Sequence, residues 1–265
     1  MERSCCELKL EMATSMKYYQ EILRSFGIDE NLLPIFVAVV VIILSAVIWR
    51  LVSGGKSRKS AVLLLGISQC GKSQLFSFLT SGLVKDTQIS LKENEAPYIP
   101  NEKKKTILTM VDIPGQESIR SRFFDNHKSN ALGILFVIDS EAFQKTIKDV
   151  AEFLFQILTD KTVHKSAPTL CIACNKQDLL MAKSKRVIQA QLEKELNTVR
   201  KTQSAALTST SGGGNESVFL GEKGKDFQFQ QLTKFKVQFI ECNVKAGEER
   251  EINVDEVTSW IVSLV

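Results

Sequence analysis

Histidine is almost missing from this chain: 265 residues contain two, His127 and His164, far apart in sequence. That scarcity excludes a histidine-rich zinc constellation. The six cysteines do not replace it. Only Cys171 and Cys174 approach a metal-binding spacing, and they lie in the apolar run Thr169-Leu170-Cys171-Ile172-Ala173-Cys174, which reads as a buried strand. Residues three apart on a strand face opposite sides, so these thiols cannot share one ion and are expected in the core. Charge of one sign is also missing. With 34 Lys and Arg against 30 Asp and Glu, the net charge of +4 gives no ground for a nucleic-acid partner. No internal repeat is present.

One stretch has no charge at all. Leu32 to Trp49 runs eighteen residues without an ionisable side chain, and thirteen of them are Leu, Ile, Phe or Val. That length suffices to span a bilayer with help from its flanks, and on an insertion scale the thirteen contribute roughly −4 to −8 kcal/mol. Pro34 suits a first helical turn and Trp49 an interface. A cleaved signal peptide is excluded by the long preceding region and by the absence of a small-residue cleavage pattern before Arg50. A buried core helix would carry a polar face, and none exists here. The expected organisation is a short non-cytosolic segment over 1–31, one transmembrane helix over 32–52, a tether over 53–59 and a cytosolic domain over 60–265. Within 1–31, Met12, Met16, Tyr19, Leu23 and Phe26 form a weak helical stripe among mixed charges. Arg50, Lys56, Arg58 and Lys59 outnumber Lys17 and Arg24 across the span, which puts the C-terminal side in the cytosol. Ten residues from Arg50 to Lys59 reach at most about 35 Å, so the domain works close to the membrane.

The chemistry sits just beyond. Ala61-Val62-Leu63-Leu64-Leu65 is followed by Gly66-Ile67-Ser68-Gln69-Cys70-Gly71-Lys72-Ser73, then by Gln74-Leu75-Phe76. A buried strand, a glycine-bearing loop and a helix start form the setting of a phosphate-binding loop. The glycines let successive N–H groups turn toward phosphate oxygens, and the helix N-terminus adds unpaired donors and partial positive charge. Lys72 is placed to reach the β- and γ-phosphates, and Ser73 to ligate Mg²⁺. Asp112-Ile113-Pro114-Gly115-Gln116 ends a second strand expected over 105–113. There Asp112 can hold Mg²⁺, Gly115 can bring a backbone N–H to the γ-phosphate, and Gln116 can orient an attacking water. Asn175-Lys176-Gln177-Asp178 follows the cysteine strand. The Asp178 carboxylate accepts two hydrogen bonds from guanine N1–H and the 2-amino group, donors that adenine lacks in that arrangement. Asn175 can bond the N7 edge, and Lys176 can pack along the base plane. Thr87 or Ser90 is spaced to complete the Mg²⁺ shell.

From Ser60 onward strands and helices alternate, which predicts an α/β domain with a mostly parallel sheet and helices on both faces. The stretch 83–101 reads as irregular, 116–128 as a short exposed helix, 131–139 as a buried strand, and 184 to about 201 as a charged helix. Residues 202–226, rich in Ser, Thr, Gly and Lys, read as a disordered insert. A last strand over 235–242 and a helix built on Val254, Val257, Trp260, Ile261 and Leu264 close the chain.

The three motifs, in this order and at strand ends, resemble a Ras-like small GTPase, which implies the three-layer P-loop fold and binding of GTP or GDP with Mg²⁺. Glu241-Cys242-Asn243-Val244-Lys245 stands where that family has a loop whose backbone contacts guanine O6, so Asn243 and Val244 join the site, although they depart from the usual Ser-Ala-Lys. A closer resemblance is carried by Phe136-Val137-Ile138-Asp139-Ser140, Asp149-Val150-Ala151-Glu152-Phe153-Leu154, Ala173-Cys174-Asn175-Lys176-Gln177-Asp178 and Gln191-Leu192-Glu193-Lys194-Glu195-Leu196-Asn197, together with the single preceding span. These are similar to the signal recognition particle receptor beta subunit family, relatives of the Arf and Sar GTPases. That resemblance implies a place in the endoplasmic reticulum membrane and a heterodimer with the receptor's alpha subunit. It also implies GTP-dependent docking that brings ribosome–nascent chain complexes to the translocon. Two behaviours stay open at this point: a switch with slow hydrolysis, and a scaffold permanently loaded with GTP. A kinase or transporter subunit is disfavoured by Asn175 and Asp178.

Overall fold

The computed structural model describes residues 33–53, 59–84, 90–100, 106–209, 218–244 and 252–265. The chain divides into two compact units, Met1–Ser57 and Arg58–Val265. In the first, helix α1 covers Leu33–Ser53, and Arg50 is its one basic residue in the last turn. Its side chains are described at 35 and 38–50, where Ile35, Val41, Ile42, Ile48 and Trp49 are exposed. Among the described residues no helix is long and apolar enough to cross a membrane. The expected segment 1–31 and most of the tether lie outside the described residues.

The second unit is organised by β1, Ala61–Leu65, whose five residues are all buried. Strands buried on both faces read as continuous apolar runs because helices cover both sides of a parallel sheet. Alternate side chains serve opposite cores: Ala61, Leu63 and Leu65 join one apolar cluster, Val62 and Leu64 the other. The remaining strands are β2 (Asn94–Tyr98), β3 (Leu108–Asp112), β4 (Ala131–Asp139), β5 (Thr169–Asn175) and β6 (Val237–Glu241). They form one six-stranded sheet in the order β2-β3-β1-β4-β5-β6. All pairings are parallel except β2 with β3.

Helices α2 (Lys72–Ser81) and α7 (Asp255–Ser263) cover one face, through Leu75, Val257, Trp260 and Ile261. Helices α3 (Glu117–His127), α4 (Phe143–Thr159), α5 (Lys161–Ser166) and α6 (Lys185–Ser209) lie on the other. Phe124, Phe153, Leu154, Val163, Ile188, Leu192 and Leu196 anchor that second layer. Cys171 and Cys174 fall in different clusters, as their spacing on β5 requires. Burial pushes the Cys174 thiol up to about 12 and that of Cys171 further still, so both are inert core groups.

Two expectations change. The stretch 83–101 contains β2, a short strand with Pro97 inside it. Proline is tolerated because β2 is an edge strand, where one side of the ladder needs no donor. The expected disordered insert over 202–226 is ordered at both ends: α6 continues to Ser209, and 218–226 is held against it, with 210–217 outside the described residues. The cause is Arg200, buried at 7% exposure. It donates to the carbonyls of Leu220 (3.1 Å), Glu222 (3.3 Å) and Lys225 (2.6 Å) and to Asn197 Oδ1 (2.6 Å). Its guanidinium also lies over the Phe219 ring.

Arg200→Ala strands those carbonyls, and hydrogen bonds to a charged group carry about 1.5–3 kcal/mol each. A loss of roughly 3 kcal/mol in urea unfolding is expected, with faster proteolysis within 218–226. Arg200→Lys should not restore either property, because a point charge cannot reproduce the planar fork.

Candidate functional site

In the sheet order, β1 lies between β3 and β4, so the chain turns to opposite sides after it. A crevice opens at such a switch point, outside the carboxyl ends of the strands. The loops following β1, β3, β4, β5 and β6 all emerge there, and they carry every motif the sequence suggests.

The loop after β1 is shaped by three residues with positive φ: Gly66 (143°), Gln69 (66°) and Gly71 (91°). At Gly66 a Cβ would strike the Val137 carbonyl of β4. At Gly71 it would strike the Asn175 side-chain amide. Lys72 opens α2, is buried at 6% exposure and donates from Nζ to the Ile67 carbonyl at 2.9 Å. Its ammonium is thus held within the curl of its own loop. Ser68 and Gln74 are partly buried and Gln69 is exposed. Cys70 is fully buried; burial raises its pKa against the pull of Lys72, so no reactive thiolate sits in the loop.

Ser73 Oγ donates to Asp112 Oδ2 at 2.6 Å and lies 3.2 Å from Ser90 Oγ. Asn94 Nδ2 approaches the same carboxylate oxygen at 3.4 Å. Asp112 is completely buried, and its Oδ1 has no hydrogen-bond partner among the described residues. Burial holds its carboxyl above the ordinary range, opposed by the Ser73 hydrogen bond and the Lys72 charge. An orphaned buried carboxylate oxygen beside two hydroxyls is a donor set suited to a hard, oxygen-seeking divalent cation such as Mg²⁺. Of the two hydroxyls proposed to complete that shell, Ser90 is brought to Ser73, whereas Thr87 lies outside the described residues. Gly115 packs on the same loop, where a Cβ would come within 2.6 Å of Ile67 C and Ser68 N and 2.7 Å of Lys72 Nζ. Gln116 is exposed and begins α3, its carbonyl accepting from the Ile119 and Arg120 N–H groups.

The Asn175–Asp178 loop is fastened to its neighbours. Asn175 is only 2% exposed, and its Nδ2 donates to the Cys70 carbonyl at 2.9 Å. This bond ties the base loop to the phosphate loop and uses one of the two amide N–H groups, which leaves the other for the N7 edge. Lys176 has a positive φ of 65°, a conformation costing a non-glycine residue roughly 1–2 kcal/mol. Asp178 lies partly buried in the turn closed by Leu179 N–H on the Lys176 carbonyl at 3.2 Å. Beyond β6, Asn243 and Val244 are both buried. The Asn243 N–H and carbonyl are paired with Asn253 at 2.9 Å each, so the N–H expected at guanine O6 is not the one Asn243 carries. Two residues not anticipated from sequence join the site: Asn94, beside Asp112, and Asp139, which receives Lys176 Nζ on Oδ2. A polar residue closing the apolar run of β4 was the available signal for Asp139.

Asp112 yields a signed test. Its folded carboxyl is raised, so the ionised form costs stability at neutral pH, and the cost disappears as pH falls toward the ordinary carboxylate value. Asp112→Asn should melt higher without nucleotide at pH 7, by about 2–4 °C, the shift roughly 1 kcal/mol produces in a domain of this size. The difference should shrink toward pH 4, and added Mg²⁺ with nucleotide should stabilise the variant less than wild type.

The chain is similar to known proteins in both sequence and fold. The family model for the signal recognition particle receptor beta subunit matches residues 57–237. The human signal recognition particle receptor subunit beta is 44% identical over 238 residues, which is 89% of this chain and 88% of that protein. Among solved structures, the mammalian signal recognition particle receptor superposes with a TM-score of 0.68 at 43% identity, covering 77% of this chain and all of that one. The receptor protein SRb in complex with GDP and Mg from Chaetomium thermophilum shares the fold, with a TM-score of 0.59 at 21% identity over 79% of this chain and all of that one. By the family match and by identity across most of its length, this chain belongs to the signal recognition particle receptor beta subunit family.

Proposed function

We propose that this protein is the GTP-binding, membrane-anchored subunit of the signal recognition particle receptor, and that its Ras-like domain docks the alpha subunit when loaded with GTP. The observation that carries the reading is the Asp112 carboxylate, wholly buried, bonded to Ser73 on one oxygen and open on the other, in the loop cluster that also holds Lys72. A carboxylate is left in that state only where something else completes it. Ser73, Asp112 and Ser90 are the residues that would hold Mg²⁺, which when bound neutralises charge on the β- and γ-phosphates.

Each element of this chain then has a task. The loop Gly66–Ser73 wraps the phosphates with its N–H groups, and Lys72 exchanges the Ile67 carbonyl for phosphate oxygen. Gly115 permits the close approach of its own N–H. Gln116, exposed at the start of α3, orients water for hydrolysis, which is slow because no arginine among the described residues is set at the phosphates. Arg120, the nearest along α3, is buried and lies over the Phe153 ring at 4.3 Å. Lys176 and Asp178 face the guanine. The presence of Gln116 favours a switch over a permanently loaded scaffold.

Leu32–Trp49 spans the endoplasmic reticulum membrane once, with residues 1–31 on the far side and the domain in the cytosol. In support, the sequence runs eighteen residues here without a charge, Ile35, Val41, Ile42 and Ile48 are exposed on α1, and Arg50 stands in its last turn. Docking of the alpha subunit there delivers ribosome–nascent chain complexes to the translocon.

The test joins anchor, base and partner. Full-length protein inserted into microsomal vesicles should resist alkaline extraction and recruit the alpha subunit with GTP but not with GDP. Asp178→Asn exchanges an acceptor for a donor, which suits the carbonyl of xanthine where guanine has its amino group. Recruitment by that variant should move from GTP to xanthosine triphosphate, with a change in preference of about 10⁴-fold. Equal recruitment by wild type in GTP and GDP would leave the scaffold.

A further inference from the structure

We propose that Asp139 is a positioning residue for guanine recognition, acting through Lys176 rather than touching the nucleotide; the inference rests on the guanine-nucleotide reading above. Asp139 and Asn175 are the last residues of β4 and β5 and are paired in register across the sheet. Lys176 follows at once, and its left-handed backbone turns its side chain back toward β4. There the Asp139 carboxylate, 7% exposed, divides its two oxygens between two tasks. Oδ1 accepts from the Glu141 and Ala142 N–H groups at 3.0 Å each, and Oδ2 accepts from Lys176 Nζ at 2.5 Å.

The backbone of the loop is held independently of this contact. Ser140 N–H donates to the Asn175 carbonyl at 3.0 Å, and Gln177 N–H to the Cys242 carbonyl at 3.2 Å. Gln177 Nε2 donates to Ser140 Oγ at 2.8 Å and to the Lys183 carbonyl at 2.9 Å. Lys183 N–H returns to the Ser140 carbonyl at 3.0 Å. What Oδ2 adds is therefore confined to the lysine side chain. A lysine stem has many rotamers, and only one lays it flat against a purine. Pinning the ammonium on a rigid, buried carboxylate makes that arrangement before the base arrives, which lowers the ordering cost of binding. The carboxylate faces Lys176 and two backbone N–H groups, so among the described residues the Lys176 ammonium is the cation paired with it.

Asp139→Asn is the informative variant, because its side-chain oxygen retains both backbone bonds while an NH₂ replaces the acceptor facing Lys176. Binding of fluorescent GDP and GTP to the full-length protein is measured in wild type, Asp139→Asn, Lys176→Met and the double variant. Asp139→Asn should weaken GDP and GTP equally, by about tenfold, with unchanged Mg²⁺ dependence and melting temperature. In the Lys176→Met background it should cost nothing further. If Asp139→Asn lowers the melting temperature, Asp139→Ser, whose hydroxyl can still accept from the two N–H groups, carries the same cycle. Undiminished affinity in Asp139→Asn, or the same loss with and without Lys176, overturns the proposal. A wild-type protein that binds neither nucleotide overturns the guanine reading instead.

Discussion

A parallel sheet covered by helices on both faces leaves its strands almost no place for polar chemistry except their carboxyl ends. The site of this protein depends on that constraint. β1 and β4 are apolar until they stop, β3 and β5 are apolar but for one threonine each, and three of the four stop on a residue that the site uses: Asp112 on β3, Asp139 on β4, Asn175 on β5. Each of these is buried. Apart from Asp112 Oδ1, their polar groups are satisfied by neighbouring loops, and these bonds fasten the loops into a single cradle.

The fastening is economical in chain but not free in energy. Asn175 reaches across to the Cys70 carbonyl, Gly71 leaves room for that amide, and Gly66 and Gly115 let backbones approach where a methyl group would collide. Three of these positions surround the loop that would take the phosphates. Asp112 remains the exception in the network, with one oxygen bonded and one not, its carboxyl raised by burial. A protein that stores a cost at one carboxylate while satisfying its neighbours is prepared for an ion at that point. The same arrangement links binding to stability, since a cation that relieves Asp112 also strengthens the junction of β3 with α2.

Away from the cradle, packing decides. Arg200 draws the segment around Leu220 onto α6 by supplying donors to three carbonyls that polar sequence alone would have left to water. Arg120 is withheld from the phosphate side by lying over Phe153 on α4. A cation that is buried and lowered in pKa by desolvation stabilises the position of α3 rather than the charge of a transition state.

The amino-acid sequence by itself determined the alternation of strands and helices, the two-sided burial of β1, the placement of the three motifs at strand ends and the opposite faces of Cys171 and Cys174. These depend on periodicity and on local backbone chemistry, which are written along the chain. Only the tertiary structure decided that the irregular stretch before β3 contains an edge strand with a proline in it, since pairing with β3 supplies what local propensity denies. It likewise decided that Ser90 meets Ser73, that Asn175 faces the phosphate loop, that Asn243 spends its N–H on Asn253, and that Asp139 holds Lys176. Each of those contacts joins residues from different loops or strands. Which partner a polar side chain finds is set by strand order and register, and neither is carried by the neighbours of that residue in sequence.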